Sequence, residues 1–376
     1  MTPKISIIIP MFNTEKYVGE CLDSLFVQTF QDFEIIVVDD CSTDKSRDIV
    51  KNYQPKFEDR LRLIESEKNS GSQPGIPRNL GISLATGKYL FFLDSDDALT
   101  ETALEELYTL AENFQAEVVH CEKYFMIPDE NFTTDKNFLT ADAQLKADFV
   151  ESPAFMTTNL DERIENFVSK KFDWSTCTNF IRRDFLLEHN IKFPPILSSE
   201  DSMLSIYLLC LSEQFLCVPN AVYIYRRRKN SITDWVSVNP EKIIKRYGDL
   251  LLRGLSIMDK FFNEHKFFVD NPIYKFQIFA FLLEIQLPVI KEVYLKFPID
   301  ELDEHVRNEI KNLDDKVTPA AFFLDYINMS VQINDNLNNA VQNLQEVIKK
   351  QRRYMNYQRV QVQNLKSVFS SQMPLP

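Results

Sequence analysis

The sequence predicts an α/β fold, a mostly parallel sheet with flanking helices, and three observations carry that prediction. Short, nearly continuous apolar runs at Ile5–Ile9, Phe33–Val38 and Tyr89–Leu93 have the look of strands buried on both faces. Segments between them repeat apolar residues at helical spacing, as in Val18, Cys21, Leu22, Leu25 and Phe26. The runs then stop in acid, at Asp39-Asp40 and at Asp94-Ser95-Asp96-Asp97, where a hydrophobic core has no use for it.

Ile5–Ile9 is a first strand ended by Pro10, and the helix around Val18–Phe26 packs one face on a sheet. After the second strand, Ser42, Thr43 or Asp44 can cap a helix running through Ile49-Val50. Leu61–Ile64 is a third, short strand. Asn69–Pro77, with Gly71, Gly75 and two prolines, is a loop, and a helix from Arg78 to Ala85 delivers the chain to the strand before Asp94. Alternation at this spacing means right-handed βαβ units, whose ligands sit beyond the carboxyl ends of the strands. Pro10–Asn13, Asp39–Asp44 and Asp94–Asp97 therefore meet on one edge.

Further on, Thr100–Phe114 is an amphipathic helix and Val118–Cys121 a strand on which His120 is a packed or surface residue. Residues 128–165 are mixed polar and aromatic, and read as an acceptor-side loop or an insertion whose role the pattern leaves open. A helix starts at Ser198–Leu204, with Met203, Leu204, Tyr207, Leu208 and Leu211 as its buried stripe and Glu200-Asp201 in its first turn, where the helix dipole favours acids. Arg226–Lys229 puts four adjacent cations into an otherwise acidic chain.

Composition excludes several classes. At 376 residues the chain can bury a large core, and a formal charge of -13 lacks the basic face of a general nucleic-acid binder, so no nucleic-acid partner is expected. Six cysteines without C-x-x-C pairing read as reduced thiols, not as a disulfide framework or zinc site. The first strand begins almost at once, leaving no signal peptide, and the apolar run Ile278–Ile290 is too short to span a bilayer. A cytoplasmic protein is expected, with a peripheral place at the inner membrane face as a further option.

The acids suggest their own chemistry. Asp94 and Asp96 lie two apart, so both reach toward one centre while Ser95 faces away. Clustered carboxylates repel unless a cation joins them, and Mg²⁺ or Mn²⁺ takes such oxygen ligands, completing its shell with phosphate and water. The bland alternative is a solvated turn, with Asp97 as a simple cap.

Ile-Ile-Ile-Pro-Met-Phe-Asn, Val-Val-Asp-Asp-Cys-Ser-Thr-Asp, Arg78-Asn79-Leu80-Gly81 and Leu-Asp-Ser-Asp-Asp together resemble a family 2 glycosyltransferase with the GT-A fold, of bacterial surface-polysaccharide type. The resemblance covers roughly the first two-thirds of the chain. It implies that Pro10 and Phe12, with Asn13 beside them, line the nucleotide base, and that Asp39 or Asp40 accepts from the base N3–H, favouring uridine. Asp94, next to Ser95, would approach the ribose, Asp96 would hold Mn²⁺ or Mg²⁺, and Arg78 would brace the acids or touch the nucleotide. Glu200-Asp201 would be the family's Glu-Asp pair with Asp201 as general base, Trp174 an acceptor-side aromatic or a packed one, and Arg226 and Arg228 contacts to the diphosphate. Cys41 stands where the family usually has Gly.

The implied reaction is inverting, metal-dependent transfer of a hexosyl or N-acetylhexosaminyl group from a UDP-sugar. Its acceptor would be a hydroxyl of a glycan or lipid-linked molecule of capsule, lipopolysaccharide or teichoic-acid type. A sugar nucleotidyltransferase is the rival enzyme, though Pro10–Thr14 lacks the Gly-rich phosphate loop it needs; a non-catalytic UDP-sugar-binding scaffold is the rival outside catalysis. Residues 1–98 form the expected nucleotide-sugar half, 99–239 the acceptor half, and 240–332 a helical region. In 333–376, Val341, Ile348, Met355, Val362 and Phe369 recur every seven residues, with Leu337, Leu344 and Leu365 on the complementary positions. That seam predicts a coiled coil and a homo-oligomer through residues 337–369, the polar Gln351 and Gln358 leaving dimer and trimer both open.

Overall fold

The sheet grows outward from β1, Ile5–Met11, whose side chains are almost wholly buried. The structure, a computed structural model, describes residues 2–71, 73–134, 139, 144–146, 150–169, 175–228, 249–282 and 284. β1 pairs in parallel with β2 (Phe33–Asp39) and with β4 (Tyr89–Phe92), and β2 pairs in parallel with β3 (Leu61–Glu65). Helices α1 (Val18–Phe26), α2 (Ser46–Phe57) and α3 (Gly75–Leu84) connect these strands and cover them, which is why the strands are apolar throughout. α1 buries Val18, Cys21, Leu22 and Leu25 as its spacing requires, while Phe26 stays half exposed. α3 begins ahead of Arg78 because Pro77 falls in its first turn, where a missing N–H is harmless. Gly81 lets α3 close onto β1, since a Cβ there would run into Ile8.

Beyond β4 the pairing is mixed. β9 (Asn179–Arg182) runs antiparallel between β4 and β6 (Val118–Pro128), and β10 (Phe215–Arg227) lies parallel to β6. With β5 (Ala98–Leu99) the order is β3-β2-β1-β4-β9-β6-β10-β5, while β7 (Gln144–Lys146) joins β6 and β8 (Ala154–Phe155) joins β10. β6 extends well past Cys121: buried Phe125 and Ile127 alternate with half-buried Tyr124 and Met126, a one-sided pattern that the apolar-run criterion misses. α4 (Ala103–Phe114) leads into β6, within 128–165 lie β7, β8 and the start of α5 (Leu160–Val168), and α6 (Arg183–Glu188) follows β9. α7 (Glu200–Leu211) is buried nearly all round from Ser202 to Leu209, a core helix and not a surface one.

At the opposite end of the sheet from the acids, buried Glu34 is structural. It accepts from the Ser6 hydroxyl at 2.7 Å and from the Thr86 N–H and hydroxyl at 2.7 and 2.8 Å. Burial alone would raise its pKa, but these donors and Arg62 outweigh it and hold the carboxyl below its ordinary value.

Residues 255–282 carry helices at Leu255–Glu264, Lys266–Asp270 and 272–282. The chain divides into two units, Met1–Ile310 and Lys311–Pro376. Trp174, residues 285–332 and the whole heptad segment 337–369 lie outside the described residues. Among the described residues no helix is long and apolar enough to cross a membrane.

Candidate active site

Two loops at the carboxyl edge of the sheet are locked together. The Asn13 N–H donates to the Ser42 hydroxyl at 3.0 Å, and the Asn13 side-chain carbonyl accepts the Thr43 N–H at 2.8 Å. Thr14 N–H reaches Ser46 Oγ at 2.8 Å, and Glu15 exchanges further bonds with Asp44 and Lys45. Asn13 and Cys41 both sit in the left-handed region, at φ 51° and 63°, to make these turns. Asn13 is therefore a clasp between loops, and its neighbour Phe12 is held out at 47% exposure.

The two adjacent acids part company here. Asp39 is fully buried, takes the Ser42 N–H at 3.1 Å and faces Arg47 at 3.6 Å, so it closes its own loop. Asp40 instead accepts from the Ser70 N–H at 2.8 Å and the Ser70 hydroxyl at 2.7 Å, which orders the loop across the cleft that Asp40 lines.

At the end of β4 the chain turns through Asp94–Asp97, with the Asp97 N–H on the Asp94 carbonyl at 3.0 Å. Asp97 is no helix cap. Its buried carboxylate accepts the Tyr223 hydroxyl at 2.6 Å and the Arg226 N–H at 2.8 Å, which ties the turn to β10. The same Tyr223 oxygen accepts the Asp94 N–H at 3.2 Å. Burial, then the charges of Asp96 and Asp94, push the Asp97 carboxyl well up from its ordinary value. Asp96 is raised too, by burial first and by Asp94, against the pull of Arg228, whose Nε lies 2.6 Å from Asp96 Oδ2.

Arg78 joins the two sides of the site. From α3 its guanidinium reaches Asp94 at 2.8 Å, Glu200 at 3.1 Å and Asp201 at 3.3 Å. Burial works against this charge, but Asp94, Asp201 and Glu200 prevail and raise its pKa above the ordinary arginine value. Asp201 also accepts the Thr176 hydroxyl at 2.6 Å, from the turn that leads into β9. Ser199, at φ 65°, bends the chain so that α7 opens with both acids aimed at Arg78.

These groups line one cleft of ≈ 1030 Å³. Pro10, Phe12, Asp40, Arg78, Asp94, Ser95, Asp96, Glu200, Asp201 and Arg228 all face it. Asn13, Asp39 and Arg226 do not. Arg226 is the larger correction. Each of its three guanidinium nitrogens is engaged, with Asp96 carbonyl at 2.9 Å, Asp129 at 3.0 Å and Glu20, and Phe132 covers its plane. An arginine so buried, with each nitrogen already engaged, braces the acidic turn and does not face the cleft. Sequence reasoning passed over Tyr223, Thr176, Ser70 and Arg227; only the cation run pointed at the last of these.

Among the described residues no three His, Cys, Asp or Glu side chains converge to enclose a metal. Mg²⁺ and Mn²⁺ need no such cage: one or two carboxylates suffice where phosphates and water complete the shell. Asp94 and Asp96, two positions apart on one turn and both lining the cleft, offer the carboxylate oxygens that such a cation takes.

A mixed sheet whose parallel half ends in an acidic cleft, closed on its far side by a helix bearing Glu200 and Asp201, defines a protein of the GT-A class. Residues 6–185 match the family model described as Glycosyl transferase family 2. It is 32% identical over 235 residues to the uncharacterized glycosyltransferase EpsJ of Bacillus subtilis, covering 62% of this chain and 64% of that one. With the glycosyltransferase GlyG of Streptococcus pneumoniae serotype 4 it shares 29% identity over 267 residues, 68% of this chain and 84% of that one. The crystal structure of Staphylococcus aureus TarS residues 1–349 with UDP-GlcNAc superposes with a TM-score of 0.53 at 26% identity, over 66% of this chain and 65% of the other. TarS itself is a poly(ribitol-phosphate) beta-N-acetylglucosaminyltransferase, 40% identical over 118 residues, which are 31% of this chain and 20% of that one. The sequence matches thus span under two-thirds of EpsJ and a fifth of full-length TarS.

Proposed function

We propose that the protein is an inverting glycosyltransferase that moves a sugar from a UDP-sugar to a hydroxyl of a bacterial surface glycan. The observation that carries this reading is the meeting of Asp40, Asp94, Asp96 and Asp201 in one cleft, with Arg78 bridging Asp94 at the strand end and Asp201 on α7. TarS, the structurally similar protein, binds UDP-GlcNAc, which supports a uridine donor.

In this reading Phe12 and Pro10 flank the base and Asp40 accepts from its N3–H. Asp94 meets the ribose with Ser95 beside it. Asp96 would hold Mn²⁺ or Mg²⁺, which would supply positive charge beside the departing diphosphate. Asp201, held by Arg78 and Thr176, takes the proton of the acceptor hydroxyl as that oxygen attacks C1. The bond from C1 to the phosphate oxygen breaks in the same displacement, and its electron pair leaves with UDP. Glu200 keeps Arg78 in place and has no role in proton transfer. Arg228 is the residue of the basic segment suited to meet the diphosphate, because it lines the cleft beside Asp96, which would hold the cation. Residues 1–98 act as the donor half and 99–239 as the acceptor half.

The test is metal-dependent hydrolysis across a panel of UDP-sugars, with calorimetry of UDP binding alongside. Asp201→Asn should bind UDP within about twofold of the native chain yet lose about 10²- to 10⁴-fold in turnover. Loss of UDP binding in a folded Asp201→Asn protein would move this residue to the nucleotide and end its assignment as base.

A further inference from the structure

Three arginines line the cleft, and their states differ. Arg78 and Arg228 are each paired with carboxylates. Arg227 is exposed and, among the described residues, its guanidinium has no ion pair or hydrogen bond. Glu130 borders the same wall and does not pair with it. An unpaired guanidinium held in a cleft rich in acids is a group waiting for an anion.

Its position says which anion. Arg226 and Arg228 alternate to one side of β10: each guanidinium lies 5.1 Å from the Tyr17 ring, and both touch Asp96. That side is the donor end. Arg227 projects to the other side, in the row of Tyr225, and the strand register places Tyr225 beside Met126 and Arg227 beside Pro128. Tyr124 precedes Met126 on the same face of β6, and all of these residues line the cleft. The wall is thus a half-buried aromatic and thioether platform ending in the guanidinium of Arg227. Aromatic faces accept the C–H faces of sugars and polyols, and a guanidinium forks onto phosphate or carboxylate.

Resting on the glycosyltransferase reading above, we propose that this wall is the acceptor subsite and that it selects an anionic acceptor. The acceptor would be a hydroxyl-bearing chain with a phosphodiester or carboxylate set next to the sugar or polyol that receives the transfer. Neutral glycans would meet the same platform but leave Arg227 without a partner among acids that repel any added negative charge elsewhere in the cleft.

The experiment is calorimetric titration of the full chain, with and without UDP, by three probes of equal length. These are a glycerol-phosphate oligomer, an oligogalacturonate and a neutral maltooligosaccharide. At least one of the two polyanions should bind more tightly than the neutral chain, and which one does so separates phosphodiester from carboxylate. Arg227→Gln should weaken that polyanion by about 10- to 100-fold, as expected for one charge-assisted contact, with UDP affinity unchanged within about twofold. Arg227→Lys, which keeps charge and loses the fork, should fall between. Equal binding of all three probes, or no binding of either polyanion, overturns the proposal. So does a loss of UDP affinity in Arg227→Gln, which would assign this arginine to the donor. A native chain that fails to bind UDP at all sinks the glycosyltransferase reading instead, and the titrations without UDP still show whether the wall prefers a polyanion.

Discussion

Replacing Arg78 with Met keeps most of the side-chain volume and removes a cation that Asp94, Glu200 and Asp201 share. At an effective dielectric near 20, attractions over 2.8–3.3 Å are about 5–6 kcal/mol per arm before any desolvation cost. The arms are unequal. Asp94 and Asp201 are 37% and 32% exposed, so water screens them, whereas Glu200 at 6% keeps nearly its full interaction. Burying the guanidinium offsets much of the total, and what a variant reports is the cost of stranding buried acids, about 3–5 kcal/mol. Arg78→Met should therefore lower unfolding free energy by that amount in a urea titration. Arg78→Lys should lose less, because it keeps the charge, but one ammonium cannot fork to three carboxylates. Amide exchange in the first turn of α7 should quicken in both, since Glu200 and Asp201 lose their tether. A loss below about 1 kcal/mol in Arg78→Met, with α7 exchange unchanged, would refute the view that this arginine welds the two sides of the cleft.

Other consequences can be measured separately. Cys41→Gly should stabilise the fold by about 0.5–1 kcal/mol, because relief of a left-handed Cβ at φ 63° exceeds the added freedom of the unfolded chain; a lower melting temperature would mean that the 3.3 Å contact from Cys41 Sγ to the Ser66 carbonyl matters more. His120 is wholly buried against Asn179, and burial pushes its pKa down from 6.5 to about 4. The unfolded chain therefore binds this proton first, so the stability it contributes is complete above pH 6.5 and is lost as pH falls toward 4, by up to about 1.4 kcal/mol per pH unit. His120→Gln should flatten the pH dependence of the urea midpoint over that window, and an unchanged slope would count against it. Asp96→Asn should abolish metal-dependent turnover, and full activity with metal still required would place the ligand elsewhere. A chain ending at Ser330 should keep UDP binding and give a smaller mass by light scattering, if the seam from Leu337 to Phe369 holds subunits together; equal numbers of chains per particle in both proteins would count against that seam.

Local pattern alone settled a good deal of this protein. Apolar runs ending in acid placed β1, β2 and β4, and the rule that ligands gather at the carboxyl ends of parallel strands drew Pro10, Asp40 and Asp94–Asp96 to one edge. Such signals are short-range, and they need no knowledge of what folds against them. They could not separate Asp39 from Asp40, which are neighbours of the same type: burial against Ser42 and Arg47 claims the first, and only a loop some thirty residues away, at Ser70, turns the second toward the cleft. Nor could the run of cations say that Arg226 is sealed among Glu20, Asp129 and Phe132 while Arg227, among the described residues, stays unpaired, because strand alternation at the end of β10 depends on its register with β6. The link from Arg78 to Asp201 spans 123 residues of chain, and that from Tyr223 to Asp97 spans 126. Charge pairs and buried hydroxyls of this kind are chosen by packing in three dimensions, so the sequence identified the acids and the tertiary structure decided which of them face the cleft.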